Sequence, residues 1–163
     1  MTVPIKVLVV DDDLFERDCY NLMFEAEGVT VESASSADEA VLKALMFQPD
    51  MILLDLDLGD SNGFQVIKRL RTHKDTKDIP VIFISGDVDV ENVRQGFYLG
   101  AADYIQKGSD FGNLIRYVKE FAILESISNN LQRVKEILDK WAKVVDFSAP
   151  HAKVGSVFNN KSR

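Results

Sequence analysis

Five short apolar runs, rich in β-branched residues, recur along the chain and predict β-strands. The runs are Ile5–Val10, Val29–Glu32, Met51–Leu54, Val81–Ile84 and the weaker Tyr104–Ile105. Because they are apolar at nearly every position, they suit a parallel sheet that is covered by helices on both faces.

Helical patterns alternate with these runs. The first is Leu14–Glu27, which ends at Gly28. A capping box, Ser36-Ala37-Asp38-Glu39, opens the second. The third follows Asn62-Gly63, and the fourth is Val90–Leu99. Five repeats of strand and helix predict a doubly wound α/β fold with right-handed crossovers.

The fifth helical pattern is longer than the others, since it begins near Phe111 and continues to about Val145. Leu114, Val118 and Phe121 have the phase of a helix packed on its own sheet. Further along, apolar positions alternate spacings of three and four, which is the heptad pattern of a coiled coil. These positions are Leu124, Ile127, Leu131, Val134, Leu138, Trp141 and Val145. The stripe favours association with a partner or a second copy, and a helix folded back on the domain is the alternative.

The patterns divide the chain into three parts. Residues 1–122 are predicted to form the α/β domain, and residues 123–146 a helical extension. Residues 147–163 are polar, contain Pro150 and Gly155, and are expected to be disordered.

Composition limits the expected cellular compartment of the protein and argues against some classes of binding partner. The 163 residues carry a net charge of −7, which argues against direct nucleic-acid binding and against membrane-surface binding. Residues Met1 to Lys6 lack the layout of a signal peptide, and no apolar run is long enough to span a bilayer. A single cysteine, Cys19, excludes an internal disulfide, so we expect a cytoplasmic protein.

Cys19 belongs to an apolar set on the first predicted helix. Phe15, Cys19, Leu22, Met23 and Ala26 are assigned to one helical face. We therefore predict that Cys19 is a buried hydrophobic residue.

Acidic and polar residues follow the predicted strands, at the edge where parallel α/β sheets bind ligands. Asp11 and Asp12 follow the first strand, Asp55 the third, Ser85 the fourth and Lys107 the fifth. Three carboxylates in one small space need a cation, and Mg²⁺ prefers oxygen ligands. A carboxylate nucleophile, a divalent ion, a lysine and a hydroxyl are the parts needed to take a phosphoryl group in line.

The same residues lie in a series of motifs whose order and spacing are specific. They are Val7-Leu8-Val9-Val10-Asp11-Asp12, Ile52-Leu53-Leu54-Asp55, Asn62-Gly63, Pro80-Val81-Ile82-Phe83-Ile84-Ser85-Gly86 and Gly100-Ala101-Ala102-Asp103-Tyr104-Ile105-Gln106-Lys107. From Ile5 to Ala122 the chain resembles the receiver domain of two-component response regulators. The resemblance implies a flavodoxin-like, five-stranded parallel sheet of order 2-1-3-4-5, here with an extended C-terminal helix.

The resemblance also implies a role for each site residue. Asp55 would accept the phosphoryl group, and Ser85 and Lys107 would hold its oxygens. Asp12 would bind Mg²⁺ directly, as would Asp55, and Asp11 largely through water. The backbone carbonyl of Asp57 would be a further ligand. The switch residues would be Ser85 and Tyr104, since Tyr104 would turn inward when Ser85 moves toward the phosphate, with Gly86 leaving room.

The implied partner is a histidine kinase or a phosphotransfer protein, and the chain would not be a turnover enzyme beyond self-directed phosphoryl transfer and autodephosphorylation. No DNA-binding module is recognisable after residue 122. We therefore expect output by protein contact or as a homodimer, through the C-terminal helix or the face of the fourth helix, fifth strand and fifth helix. The alternatives are an N-terminal fragment of a larger regulator, and a receiver-like interaction module that works without phosphate.

Two departures from the family pattern concern loops. Gly108 stands where a proline in a cis bond usually follows the lysine, and Gly59 replaces a common proline after the nucleophile. Glycine permits many backbone shapes and fixes none, so both loops are expected to be looser.

Other interpretations of these residues are less consistent with the whole set. Asp55-Leu56-Asp57 resembles the nucleophile motif of haloacid-dehalogenase-type phosphatases, but there the paired metal carboxylates follow the nucleophile. Residues 59–63 match the G-x-S-x-G hydrolase elbow, but only His73 and His151 are available as a base. Asp13 is best explained as a helix N-cap.

Overall fold

The structure is a computed structural model that describes residues 4–108 and 111–144. Strands and helices alternate along this part of the chain. The elements are β1 (Lys6–Val10), α1 (Leu14–Ala26), β2 (Thr30–Ala34), α2 (Ala37–Phe47), β3 (Met51–Asp55), α3 (Gly63–Thr72), β4 (Val81–Ser85), α4 (Val90–Tyr98), β5 (Asp103–Gln106) and α5 (Phe111–Val144). The five predicted strands and the alternating helices are confirmed.

The five strands form one parallel sheet in the order β2-β1-β3-β4-β5, which is the flavodoxin-like order predicted. Val10, the last residue of β1, pairs with Leu54 of β3. Asp55 pairs with Ile84, and Ser85 pairs with Gln106. The carboxyl ends of these four strands therefore meet at one edge, and strand order reverses between β1 and β3, where such sheets bind ligands.

The core consists of two apolar layers, one on each face of the sheet, because successive strand residues point to opposite sides. On one face, Leu8, Ile52 and Phe83 pack with buried residues of α2 and α3. On the other face, neighbouring strand residues such as Leu53 pack with buried residues of α1 and α5, including Val118. This double covering explains why the central strands are apolar throughout.

The predicted buried face of α1 is wrong. Phe15 is 76% exposed and Leu22 is 69% exposed, whereas Tyr20 and Phe24 are the buried residues of this helix. Cys19 is half-buried. Apolar residues occur on several sides of α1, and the stripe that packs includes a tyrosine, whose hydroxyl makes it a poor marker of burial.

Side chains cap the first three helices. The Asp13 carboxylate accepts hydrogen bonds from the backbone N–H groups of Phe15 and Glu16, as predicted.

At α2, the Ser36 hydroxyl accepts from Glu39 N–H at 3.3 Å. The Glu39 carboxylate accepts from the Ser35 N–H at 2.7 Å, one residue earlier than in a standard capping box. This backbone hydrogen bond, with the nearby Lys43 ammonium, lowers the pKa of Glu39 to about 2.

Asn62 caps α3, since its side-chain oxygen accepts from Gln65 N–H at 3.1 Å. We expect Asn62→Ala to lower the free energy of unfolding by about 1 kcal/mol, because a helix-terminal N–H loses its partner. Asn62→Ser keeps an N-cap oxygen and is the control. Urea unfolding measures both variants, and equal losses for alanine and serine would contradict a capping role.

The chain divides into two units, Met1–Leu124 and Glu125–Arg163. In the first unit, α5 buries Leu114 and Val118 against the sheet, as predicted. In the second unit, four residues of the heptad stripe are between 50% and 65% exposed. They are Ile127, Leu131, Val134 and Leu138. The side chain of Trp141 lies outside the described part of the structure, as do Val145 and the predicted tail 147–163.

Within the described ranges, no helix is both long enough and apolar enough to span a bilayer.

Candidate functional site

The loops that follow β1, β3, β4 and β5 surround one open cleft of about 490 Å³. Its walls contain the predicted site residues Asp11, Asp12, Asp55, Asp57, Ser85 and Lys107. The structure therefore brings together residues that are as far as 96 positions apart in the chain.

Three carboxylates converge in this cleft. One oxygen each from Asp11, Asp12 and Asp55 lies within 4.8 Å of the others. Asp11 is 1% exposed and Asp55 is 5% exposed, whereas Asp12 faces solvent. Two of the three negative charges are thus largely removed from water, which is costly unless a cation lies close to them.

Lys107 supplies part of that positive charge. Its Nζ donates to Asp11 Oδ2 at 2.7 Å and to Asp55 Oδ2 at 2.8 Å. The backbone places this side chain, because Lys107 N–H donates to the Ser85 carbonyl at 2.7 Å just beyond the β4–β5 pairing. Glu16 Oε2 lies 3.8 Å from the same ammonium, a contact that the sequence patterns do not predict.

The remaining negative charge is visible in the acid–base properties of the cluster. Burial, and then repulsion from Asp11, raise the pKa of Asp55 to about 6, although the Lys107 hydrogen bond opposes the change. Burial opposes the charge of Lys107, but its hydrogen bonds with Asp11 and Asp55 outweigh it and raise the pKa of Lys107. One lysine therefore does not neutralise the carboxylates of the cleft, and a further cation would stabilise them.

The loop after β3 shapes the position of the Asp57 carbonyl. Asp57 and Asn62 form an antiparallel bridge, whose hydrogen bonds run from Gly63 N–H to Leu56 O and from Leu58 N–H to Ser61 O. Neither bond uses the carbonyl of Asp57. The Asp57 N–H donates to Asp55 Oδ1 at 3.2 Å, which holds the loop beside the Asp55 carboxylate.

Ser85 and Tyr104 lie on neighbouring strands at the far side of the cleft. The buried Ser85 hydroxyl accepts from Asp87 N–H at 3.2 Å. Tyr104 is half-buried, and its hydroxyl donates to the Asp87 carbonyl at 3.1 Å. Both predicted switch residues thus contact the same short segment after β4.

In this conformation a methyl group at Gly86 would meet nothing within 4 Å, and the role of Gly86 in making room for an inward-turned Tyr104 stays a prediction. The glycine that touches the ring is Gly96 on α4. A methyl group there would lie 3.2 Å from Phe83 Cδ2 and 3.5 Å from Tyr104 Cδ2. Sequence patterns alone give no sign of such a tertiary contact.

Arg17 is a further site residue that sequence reasoning missed. Its guanidinium donates to the backbone carbonyls of Asp11 and Asp12, at 2.7 Å and 2.9 Å. These bonds fix the loop that carries the acidic pair. The available signal was position alone, since Arg17 lies in the first turns of the helix that follows the pair.

The two glycines predicted to stand in place of prolines have backbone shapes that proline cannot adopt. Gly59 has φ +68° and Gly108 has φ +83°, whereas proline is fixed near −65°. All peptide bonds of the described residues are trans. A methyl group at Gly59 would also lie 3.3 Å from Asp12 Oδ2, so the glycine lets this loop approach the acidic pair.

The donor set fits a divalent ion such as Mg²⁺. Carboxylates of Asp11, Asp12 and Asp55 converge, and the Asp57 carbonyl belongs to the loop beside them. Hard oxygen ligands of this kind are those that Mg²⁺ prefers. The excess negative charge described above supplies the electrostatic reason for an ion at this position.

Comparisons with known proteins agree with this site. Residues 7–119 match the response regulator receiver domain, and the chain belongs to this family. It is 34% identical over 114 residues to the DNA-binding dual master transcriptional regulator RpaA of Synechocystis sp., covering 70% of this chain and 47% of that protein. It is 36% identical over 106 residues to the transcriptional regulatory protein ResD of Bacillus subtilis, covering 65% and 43%.

Solved structures show the same fold. A response regulator receiver protein from Pseudomonas putida has a TM-score of 0.67 and 29% identity, covering 74% of this chain and 99% of that one. A CheY-like receiver domain protein from Methanospirillum hungatei has a TM-score of 0.72 and 25% identity, covering 77% and 99%. The resemblance inferred from the motifs is confirmed. The chain spans about half the length of the curated relatives described above.

Proposed function

We propose that this chain is a phosphoacceptor signalling protein whose Asp55 takes a phosphoryl group from a histidine kinase or a phosphotransfer protein. The observation that carries the proposal is the contact of Lys107 Nζ with both Asp11 and Asp55 at the carboxyl edge of the sheet. This contact joins the acceptor carboxylate, its acidic neighbour and a phosphate-binding cation in one buried group.

The chemistry assigned to Asp55 is a single in-line transfer. One of its carboxylate oxygens attacks phosphorus while the bond from phosphorus to the donor nitrogen breaks, and the donor imidazole leaves with the bonding electron pair. The product is an acyl phosphate on the protein itself. The chain is therefore a substrate of the reaction and not a turnover enzyme, with autodephosphorylation as the return step.

Each neighbour of Asp55 has a proposed part in this transfer. Asp12 and Asp55, with the Asp57 carbonyl, would hold Mg²⁺, and Asp11 would act largely through water. The ion, when bound, would neutralise charge on the transferring phosphoryl group. Lys107 and the Ser85 hydroxyl would hold phosphoryl oxygens.

Output is proposed to begin at Ser85 and Tyr104. Their common contact with Asp87 gives a direct route by which movement of the Ser85 hydroxyl can change the position of the tyrosine ring. Phosphorylation would shift a pre-existing equilibrium of the α4–β5–α5 face, which then changes contacts with a partner. RpaA and ResD are transcriptional regulators about twice as long as the matched region, so an effector domain in a longer regulator is the alternative form of output.

The test of phosphoryl uptake uses acetyl phosphate as the donor and intact-protein mass spectrometry as the readout. With Mg²⁺ present, we expect the mass to rise by one phosphoryl group. With EDTA, we expect uptake to fall at least tenfold, because the carboxylate cluster is then left without its neutralising ion.

Two variants locate the acceptor. Asp55→Asn should take up no phosphoryl group, whereas Asp60→Asn, an exposed aspartate of the same loop, should behave as wild type. If wild type stays unmodified both by acetyl phosphate and by a phosphorylated kinase, the chain is a receiver-like module that works without phosphate. Modification of Asp55→Asn would place the acceptor at another residue.

A further inference from the structure

The second unit has a helix face whose residue types favour packing against more than one other helix. The spacing of its apolar residues assigns Leu131 and Leu138 to heptad position a, and Ile127 and Val134 to position d. All four side chains are at least half exposed. Positions a and d of a coiled coil are the ones that insert into neighbouring helices.

The residue types at these positions are informative. In parallel coiled coils, β-branched residues at a with leucine at d favour two strands, and the reverse arrangement favours trimers and tetramers. Here leucine occupies a, and the β-branched Ile127 and Val134 occupy d. The arrangement is therefore that of the larger assemblies.

The flanking positions support the same conclusion. Position g contains the apolar Ile137, which is 54% exposed, and this residue widens the stripe beyond a simple a/d seam. From residue 125 to 140, Lys135 at position e is the one charged residue at the e and g positions. In a parallel pair of helices, the g residue that faces Lys135 is Asn130. Between residues 125 and 140, the interhelical e–g ion pairs that set partner choice and orientation in two-stranded coiled coils therefore cannot form.

The opposite side of the helix is polar. Positions b, c and f contain Glu125, Ser126, Asn129, Gln132, Arg133, Glu136, Asp139 and Lys140. The helix thus has one wide apolar face and one solvated face. In a parallel assembly of identical helices, every leucine layer meets leucine and every β-branched layer meets its own kind, so a copy of this chain is a matched occupant.

We propose that α5 beyond Leu124 assembles with three further copies of the chain into a parallel four-helix coiled coil. The inference rests on the proposed output by protein contact and is independent of phosphoryl transfer. Four helices satisfy both observations, because the a and d residues then form the core and the g residues lie between neighbouring helices.

Sedimentation equilibrium of the full, unphosphorylated chain tests the proposal. The expected mass is four times the chain mass of 18.3 kDa. A mass of two or three chains would overturn the assignment of four strands. A mass of one chain would overturn self-association, and the face would then serve a different protein.

Matched substitutions test the face itself. Leu131→Glu places a charge at position a and should reduce the mass to that of one chain. Gln132→Glu places the same side chain one residue later, on the solvated face, and should leave the mass at four chains. Equal behaviour of the two variants would contradict the heptad assignment.

Position g distinguishes four strands from two. Ile137→Glu should reduce the mass from four chains to two, because this residue is enclosed between helices in a tetramer and lies at the rim in a dimer. An unchanged mass would show that Ile137 is not enclosed and would overturn the proposal.

Strand direction is tested with Ile127→Cys in a Cys19→Ser background. A parallel assembly brings the new cysteines together, so mild oxidation should give covalently linked chains on a non-reducing gel. The absence of linked chains would overturn the parallel arrangement.

Phosphoryl uptake is measured on the same samples, so that failures are distinguishable. Uptake by a chain of monomer mass leaves the phosphoacceptor function intact and refutes the coiled coil. A tetramer that takes up no phosphoryl group supports the coiled coil and refutes the phosphoacceptor function.

Discussion

The Asp55→Asn variant is expected to be more stable than wild type at neutral pH, although it lacks the proposed phosphoacceptor carboxylate. Asp11 and Asp55 are buried side by side and share one lysine. Removing one of the two negative charges relieves both their repulsion and the burial of an ion. We expect the free energy of unfolding to rise by about 1–2 kcal/mol at pH 7 with EDTA present, less than the pKa shift alone implies because water in the cleft screens these charges.

The pH dependence identifies the cause. The pKa of Asp55 is raised from 3.8 to about 6, so between these values the folded chain keeps a proton that the unfolded chain has released. The contribution of Asp55 to wild-type stability should therefore fall as pH rises from about 4 to about 6 and then stay low. The asparagine variant lacks this titration, so its advantage should disappear near pH 4 and be complete above pH 6.

Urea unfolding at several pH values in EDTA measures this difference. Asp60→Asn is the control, since Asp60 is exposed and should show the wild-type profile. Asp55→Asn would argue against charge repulsion in the cleft if it were no more stable than wild type at pH 7, or if its advantage were the same at pH 4.

Gly63→Ala is expected to destabilise the fold by about 3 kcal/mol, the largest loss we predict for adding a single methyl group. Gly63 is the first residue of α3, where the helix begins directly beside the end of β3. A methyl group at this position would lie 2.6 Å from the carbonyl oxygen of Asp55 and 2.7 Å from Phe83 Cε1. Neither the backbone of β3 nor a fully buried ring can move away easily.

Gly86→Ala is the matched control. It adds the same methyl group in the loop after β4, where nothing lies within 4 Å, so its stability should stay within about 1 kcal/mol of wild type. Thermal and urea unfolding compare the two variants. If both lose the same stability, the close approach of α3 to β3 is not the reason that glycine occupies position 63.

The sequence was sufficient to predict the sheet and the position of the site because both follow from strong constraints. Central strands of a doubly covered parallel sheet must be apolar, as Leu8 and Leu53 illustrate. The residues that end such strands must share one edge, so Asp11, Asp55 and Lys107 could be placed together without coordinates.

Features that depend on tertiary packing were not predictable in this way. The face of α1 was assigned wrongly because exposed Phe15 and Leu22 are more apolar than the buried Tyr20. Gly63 and Gly96 look like ordinary helix residues until the neighbouring Phe83 ring is placed beside them. The helix boundaries were easier, since Asp13, Ser36 and Asn62 carry their own capping chemistry.

The hydrogen bond from Lys107 N–H to the Ser85 carbonyl ties the ends of β4 and β5 together at 2.7 Å. The side chains of Lys107 and Ser85, which are proposed to hold phosphoryl oxygens, therefore belong to two backbone segments that are directly hydrogen-bonded to each other. We expect a displacement of one backbone segment to move the other, because the hydrogen bond joins them directly. We therefore expect the Lys107 ammonium and the Ser85 hydroxyl to shift together when an anion enters the cleft, opposite the carboxylates on the loops after β1 and β3.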